Sequence, residues 1–174
     1  MSFIAKTVPA KNNLKKALSF TLCIILIVCI SGCYIGTAAK ERRKAHKAAL
    51  KFFKYLQSED IDKLTAQFSK DARYNNDLEQ DWEDFYYAVD GRIESYGRLR
   101  VTDRSVWYDK GKMSHCIIIV KFEDVVTNKG VTYDELSYEH VITDGDPDAI
   151  GITVLHILDD DEKTVAVVGG NREE

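Results

Sequence analysis

Residues 113–126 read MSHCIIIVKFEDVV, and this stretch decides the fold. Successive side chains of a strand point to opposite faces. Ser114, Cys116, Ile118, Val120 and Phe122 therefore share one side, and His115, Ile117, Ile119 and Lys121 take the other. Ile117–Val120 is apolar on both sides, the pattern of a strand inside a sheet rather than at its edge. Segments rich in β-branched and aromatic residues surround it: Arg92–Tyr96 and Arg100–Tyr108 before it, Val131–Thr143 and Ile150–Leu158 after it. Asp109-Lys110-Gly111-Lys112 and Thr127-Asn128-Lys129-Gly130 carry turn chemistry between neighbours. The spacing predicts an antiparallel meander with Met113–Val126 at its centre.

Upstream the period changes. Across Lys40–Gln57, Ala45, Ala48, Ala49, Phe52, Phe53 and Leu56 recur at helical spacing and form one apolar stripe. Ser58 is read as the N-cap of a second helix, with Glu59, Asp60 and Asp62 in its first turn, where the helix dipole favours acids. Ile61, Leu64 and Phe68 give that helix its buried side. A third begins near Asn76 or Asp77, carries Leu78, Trp82, Phe85, Tyr86 and Val89 inward, and stops at Gly91. Three helices followed by strands, without a βαβ unit, predict an α+β domain with helices packed on one face of a curved antiparallel sheet. Asp159–Glu174, acidic and then glycine-rich, is read as a flexible tail. No glycine-rich phosphate loop or other cofactor motif is present.

The amino-terminal end has a different composition. Met1–Gly32 holds Lys6, Lys11, Lys15 and Lys16 and no acid; Ala17–Ile30 is uncharged; Ser31, Gly32 and Cys33 follow. A basic segment, an apolar segment and small residues before a cleavage point make an export signal. Ile30-Ser31-Gly32-Cys33 resembles the lipobox of bacterial lipoproteins, with Ile where Leu is commoner. That resemblance implies diacylglycerol on Cys33 and cleavage just before it, so that the membrane is a partner through the lipid. The organisation expected is a signal peptide over 1–32, a tether over 33–39, a domain over 40–158 and a tail over 159–174. A second reading is an uncleaved membrane helix, because Ala17–Ala39 is uncharged throughout and long enough for the ~20 residues of a span. Both readings place the domain on the extracytoplasmic face of the cell membrane. In the lipoprotein reading Lys40, Arg42, Arg43, Lys44 and Lys47 face anionic head groups, worth about 1 kcal/mol each near the surface.

Cleavage would also change the charge. The whole chain of 174 residues carries a formal −4. The signal takes four lysines and no acid with it, so the mature protein stands at −8, which argues against a nucleic-acid partner. Of the four cysteines, Cys23 and Cys29 leave with the signal and Cys33 is acylated. Cys116 remains alone, without an intramolecular disulfide partner. Its place in the central strand makes it a buried structural thiol rather than a nucleophile.

The element order resembles the nuclear transport factor 2-like (cystatin-like) cone, a superfamily of small isomerases, cyclases and many non-catalytic domains. Asp90-Gly91-Arg92-Ile93-Glu94-Ser95-Tyr96 resembles the D-G-K-I-x-S-Y segment of a family of short Firmicute lipoproteins. Tyr138-Glu139-His140-Val141-Ile142-Thr143-Asp144-Gly145-Asp146-Pro147-Asp148-Ala149-Ile150-Gly151-Ile152 resembles the same family's aromatic strand followed by D-x-x-N-P-D-x-x-G-[LI], with Asp146 where Asn is commoner. That family is a domain of unknown function. The resemblance implies the cone fold, a lipid anchor and a single-membrane cell, and it implies no activity.

Three sets of residues are chemical candidates. Asp144, Asp146 and Asp148 have the spacing of a calcium loop, but Ala149 and Leu155 stand where an EF-hand needs Gly and Glu; the plainer reading is a turn with solvated carboxylates. His115, His140 and His156 lie on expected strands. A cone-type isomerase or dehydratase needs a base plus oxyanion donors in its cavity, for which His140, His156 and Tyr138 are the first candidates and Tyr86, Tyr87 and Glu139 further ones. The plainer reading is a set of His and Tyr tips on a half-exposed sheet. Alternation puts Tyr138, His140 and Ile142 on one face and Glu139 on the other. Finally, acidic Asp77, Glu79, Asp81, Glu83, Asp84 and Asp90 precede basic Arg92, Arg98, Arg100, Arg104, Lys110 and Lys112, either a pair of docking patches or solvated charge. The function expected is a lipid-anchored domain that binds a small ligand or an envelope partner without catalysis and without a cofactor. The alternative is a small cofactor-independent isomerase- or dehydratase-like enzyme using a cavity His or carboxylate.

Overall fold

The computed structural model describes residues 36–170, and the compact unit that carries the fold begins at Lys40. Helix α1 covers residues 36–57. Residues 36–39, expected as tether, are helical: Ala38 and Ala39 are strong helix formers, and no proline stops the helix there. Ala45, Ala49, Phe52, Phe53 and Leu56 are buried along one stripe, whereas Ala48 is exposed.

The expected second helix is two helices. α2 (Ile61–Thr65) is capped by Asp60, whose side chain accepts from the Lys63 N–H. α3 (Lys70–Asn75) is capped by Ser69, which accepts from the Ala72 N–H. Ser58 does not cap α2; its hydroxyl donates to the carbonyls of Lys54 and Tyr55 and closes α1 instead. The break comes from tertiary pairing. Ser69 N–H donates to the Ile152 carbonyl, and Ile152 N–H donates to the Gln67 carbonyl, so the backbone around Phe68 is committed to an isolated parallel bridge with Ile152 rather than to a helix. α4 (Leu78–Ala88) starts at the Asp77 cap and buries Leu78, Asp81, Trp82 and Phe85.

Six strands form one antiparallel sheet: β1 (Ile93–Ser95), β2 (Arg98–Asp109), β3 (Lys112–Thr127), β4 (Thr132–Thr143), β5 (Gly151–Leu158) and β6 (Thr164–Gly169). The order is β1-β3-β4-β5-β6, with β2 also on β3, so β3 is interior as its two-faced apolarity required. β1 takes one end of an edge of β3 (Ile93 opposite Thr127) and β2 takes the rest (Leu99 opposite Phe122, Val101 opposite Val120). Cys116, Ile118, Val120 and Phe122 are buried in alternation. At Asp124, whose φ is +54°, the alternation slips by one residue, and Val125 and Thr127 continue the buried row.

The expected tail is a correction. Asp159 accepts from the Asp161 and Lys163 N–H groups and makes a turn, and Thr164–Gly169 then pairs with β5. The run TVAVV is β-branched and Val168 is fully buried; the acids that suggest a tail belong to the turn before it. A 3-10 turn at Pro147–Ala149 links β4 to β5.

The helices pack on the inner face of the curved sheet. Phe53 meets Phe122 at 4.9 Å and Tyr96 at 4.6 Å, and Phe52 meets Tyr138 at 4.8 Å. Trp82 stands edge-on to Phe85 and Phe68. One carboxylate sits within this apolar layer: Asp81 is buried, and its Oδ2 accepts the Gly169 N–H at 2.9 Å. Asp81→Ala would strand that buried donor, and a loss of about 2 kcal/mol in urea unfolding is expected. Asp81→Asn, which keeps an acceptor, should lose clearly less; equal losses for the two variants would show that the bond does not matter.

Candidate functional site

The catalytic candidates are placed by strand register. His140 lies opposite Ile118 and Ile152, on the inner face. Tyr138, two residues earlier, shares that face, with ring centroids 6.5 Å apart. Burial pushes the His140 imidazole down to about 4 and the Tyr138 phenol well above its usual range. Neither shift has a charged partner as a cause, so both groups stand neutral at pH 7. His156 lies opposite Ser137 and Val167, on the outer face. It is half-buried and lowered by burial, against the opposing influence of Glu135. Glu139 is also on the outer face, in an ion pair with Arg104. The sheet thus lies between His140 and His156, and they do not form one site.

On the outer face a pairing appears that the sequence does not reveal. His115 Nδ1 lies 2.7 Å from Asp144 Oδ2, and the Trp107 ring stands edge-on to the imidazole. The contact holds the Asp144 carboxyl below its ordinary range, after the larger effect of the Asp146 N–H. Twenty-nine residues separate the two partners, and only the β3–β4 register brings them together.

The aspartate loop is occupied by its own chain. Asp144 Oδ1 accepts from the Asp146 N–H, Asp146 Oδ1 accepts from the Asp148 N–H, and Asp148 pairs with Lys70 at 2.7 Å. The three carboxylates turn to different partners, and among the described residues no group of three or more metal-ligating side chains converges. The basic residues of β2 are likewise paired within the sheet: Arg98 and Arg100 hold Glu123, and Arg104 holds Glu139. They do not face the acids of α4. Cys116 is buried, and burial pushes its thiol up, with Asp103 and Glu41 adding to the effect, as fits a core thiol.

The two sequence words that stand out have structural work. At Asp90-Gly91-Arg92 the chain is clamped to the β3–β4 turn. Asp90 N–H donates to the Tyr133 hydroxyl, the Thr127 hydroxyl donates to the Asp90 carbonyl, and Lys129 pairs with the Asp90 carboxylate. Arg92 N–H donates to Asn128 Oδ1, and Asn128 N–H donates back to the Arg92 carbonyl. Gly91 has φ +96°, and a Cβ there would lie 2.7 Å from Asn128 Oδ1, so only glycine fits the clamp. In the second word, Asp146 caps the 3-10 turn through the Asp148 N–H, and Gly151 lets β5 approach Phe68 and Ser69.

Clefts open on the surface of the described residues. One of ≈ 290 Å³ lies between α3 and the β5–β6 end, beside Asp71, Asn75 and Gly170. Another, ≈ 480 Å³, lies beside the α1–α2 turn, the end of α4 and the β3–β4 turn. Tyr86 and Tyr87 belong to this second cleft, far from the role sketched for them beside the sheet histidines. Cys33 and the whole lipobox lie outside the described residues. Among the described residues, no helix is long and apolar enough to cross a membrane.

Fold and sites together define an α+β domain in which four helices cover one face of a six-stranded antiparallel sheet. The profile of a domain of unknown function, DUF5104, matches residues 51–160, and the chain belongs to that family. No curated protein matches it significantly.

Proposed function

We propose that the protein is an exported lipoprotein, held on the extracytoplasmic face of the cell membrane by diacylglycerol on Cys33, whose nuclear transport factor 2-like domain binds a small ligand without catalysis. The anchor rests on Ile30-Ser31-Gly32-Cys33 behind a basic and then apolar leader. The cone rests on the helix-then-meander order and on a sheet with one face under helices. The observation that carries the non-catalytic reading is the separation of His140 and His156 by the sheet. An acid–base site needs groups that converge on one substrate. Two acyl chains anchor stably where a single ~14-carbon chain binds only marginally.

Cys33→Ser is expected to abolish incorporation of labelled fatty acid and to leave the precursor uncleaved. Labelled lipid entering the variant would overturn the anchor. The enzyme reading retains one observation in its favour: Tyr138 and His140 are neighbours on the inner face, both with displaced ionisation. It would replace the binding reading if a substrate were turned over by the wild type and not by His140→Gln. An envelope partner in place of a small ligand would show as a stoichiometric complex of the anchored protein.

A further inference from the structure

We infer that the outer face of α1, presenting Lys40, Arg43, Lys47, Lys51 and Lys54, is a docking surface for anionic phospholipid head groups and lays the domain against the membrane that anchors it. This deepens the reading as an anchored protein and rests on it.

The five cations form one stripe. At 3.6 residues per turn they fall within a sector of about 80°, on the side opposite the buried row of Ala45, Ala49, Phe52, Phe53 and Leu56. All five are exposed. Among the described residues none of them makes an ion pair. The remaining cations of the helix are engaged elsewhere: Arg42 reaches Asp103 on β2 at 3.6 Å, and Lys44 holds Glu41 at 2.7 Å. Lys51 also stands over the Tyr55 ring, 5.6 Å from its centroid, an arrangement that leaves its charge unneutralised. Most ion pairs elsewhere on the surface, such as Arg98 and Arg100 on Glu123 or Lys121 on Glu135, satisfy the cation locally. The stripe is thus unspent positive charge.

The shape of the stripe selects its occupant. From Lys40 to Lys54 it runs about 21 Å along a convex helix, with successive members roughly a turn apart. A small anion would meet one or two of them; a plane of negative charge meets them all. Leu50, 40% exposed, lies one turn from both Lys47 and Lys54 at the edge of the stripe and adds an apolar side chain, as in helices that lie in a membrane interface.

The charge of the rest of the domain sets the orientation. Residues 40–57 carry seven basic side chains and one acid, whereas residues 58–174 carry 13 basic and 27 acidic ones. An anionic surface attracts the first segment and repels the second, so the side bearing α1 faces it. Seven residues separate Cys33 from Lys40, at most about 25 Å of extended chain. An anchor on Cys33 would hold the stripe within that reach of the head groups, and tethering makes a weak contact effectively intramolecular.

The test places a fluorophore on Leu50→Cys in the full, anchored chain, with the parent chain treated alike as blank. The chain is reconstituted into vesicles of phosphatidylcholine, or of equal parts phosphatidylcholine and phosphatidylglycerol, each doped with a lipid carrying a nitroxide quencher on its head group. Strong quenching is expected in the anionic vesicles alone, and it should fade as salt shortens the reach of the charges. Neutralising the stripe together (Lys40→Gln, Arg43→Gln, Lys47→Gln, Lys51→Gln and Lys54→Gln) should cut the docked-to-undocked ratio about tenfold or more. These side chains are exposed, so thermal unfolding of the variant in detergent should match the parent. Lys110→Gln with Lys112→Gln, away from α1, should dock as the parent does. Equal quenching in the two vesicle types, or quenching that the neutralised stripe leaves unchanged, overturns the proposal. So does sedimentation of the parent, and not of the neutralised variant, with a soluble anionic polymer when neither vesicle quenches: the face would then belong to a polymer. The anchor is judged separately, by flotation with the neutral vesicles and by labelling of Cys33.

Discussion

Gly151→Ala is expected to lower the free energy of unfolding by about 3 kcal/mol or more. Gly151 opens β5 with φ +136°, a region open to glycine alone. A Cβ there would lie 2.5 Å from the Ser69 nitrogen, 2.8 Å from its Cα and 2.9 Å from the Phe68 carbonyl carbon. All three are backbone atoms, so no rotamer change relieves the overlap. The chain would have to part where Ser69 N–H meets the Ile152 carbonyl and Ile152 N–H meets Gln67. Those bonds also end α2 and set the cap of α3, so the damage would spread into the helical layer. Urea unfolding of Gly151→Ala beside Gly145→Ala measures this. Gly145 has nothing within 4 Å of an added Cβ, and its variant should unfold near the wild-type midpoint. A loss below about 1 kcal/mol at Gly151 would mean that the approach of the two segments is looser than described.

The second large effect is a dependence on pH through His140. Burial holds its imidazole at about 4 in the folded protein, against ~6.5 in an unfolded chain. Between those values the unfolded chain binds the extra proton, so stability falls as the pH falls. The contribution is complete above pH ~6.5 and is lost on the way down to pH ~4, roughly 3 kcal/mol over the window. Carboxylates titrate near its lower end, so the comparison is with His140→Gln, which cannot take up a proton. The difference between the two unfolding free energies should shrink steeply from pH 7 to pH 4. Parallel curves would place His140 in water rather than in the core. His156, also lowered by burial, acts in the same direction in both proteins and cancels.

These two residues illustrate what the sequence reveals and what it withholds. The interior position of β3 was legible because Ile117–Val120 is apolar on both faces, and alternation alone separated His140 from Glu139. The stripe of α1 and the inward residues of α4 followed from helical spacing. What failed was set by contacts distant in sequence. Ser58 and Ser69 are both good caps by composition, and only the pairing of Phe68 with Ile152 decides which of them starts a helix. The acids at 159–162 read as a tail because charge density and turn chemistry look alike, until β5 supplies an edge for Thr164–Gly169. The slip of register at Asp124 carries no compositional mark. At the sites, His115–Asp144 depends on register across two strands, and the cleft around Tyr86 assembles from three turns that no local pattern connects.

The bond from Asp81 to the Gly169 N–H joins residues 88 positions apart, and it has a consequence for the order of folding. The middle of α4 is sealed against β6, so the interior closes only when Thr164–Gly169 is in place. Long-range pairings of this kind are formed late and slowly. Until Thr164–Gly169 pairs with β5, Trp82 and Phe85 stay incompletely covered.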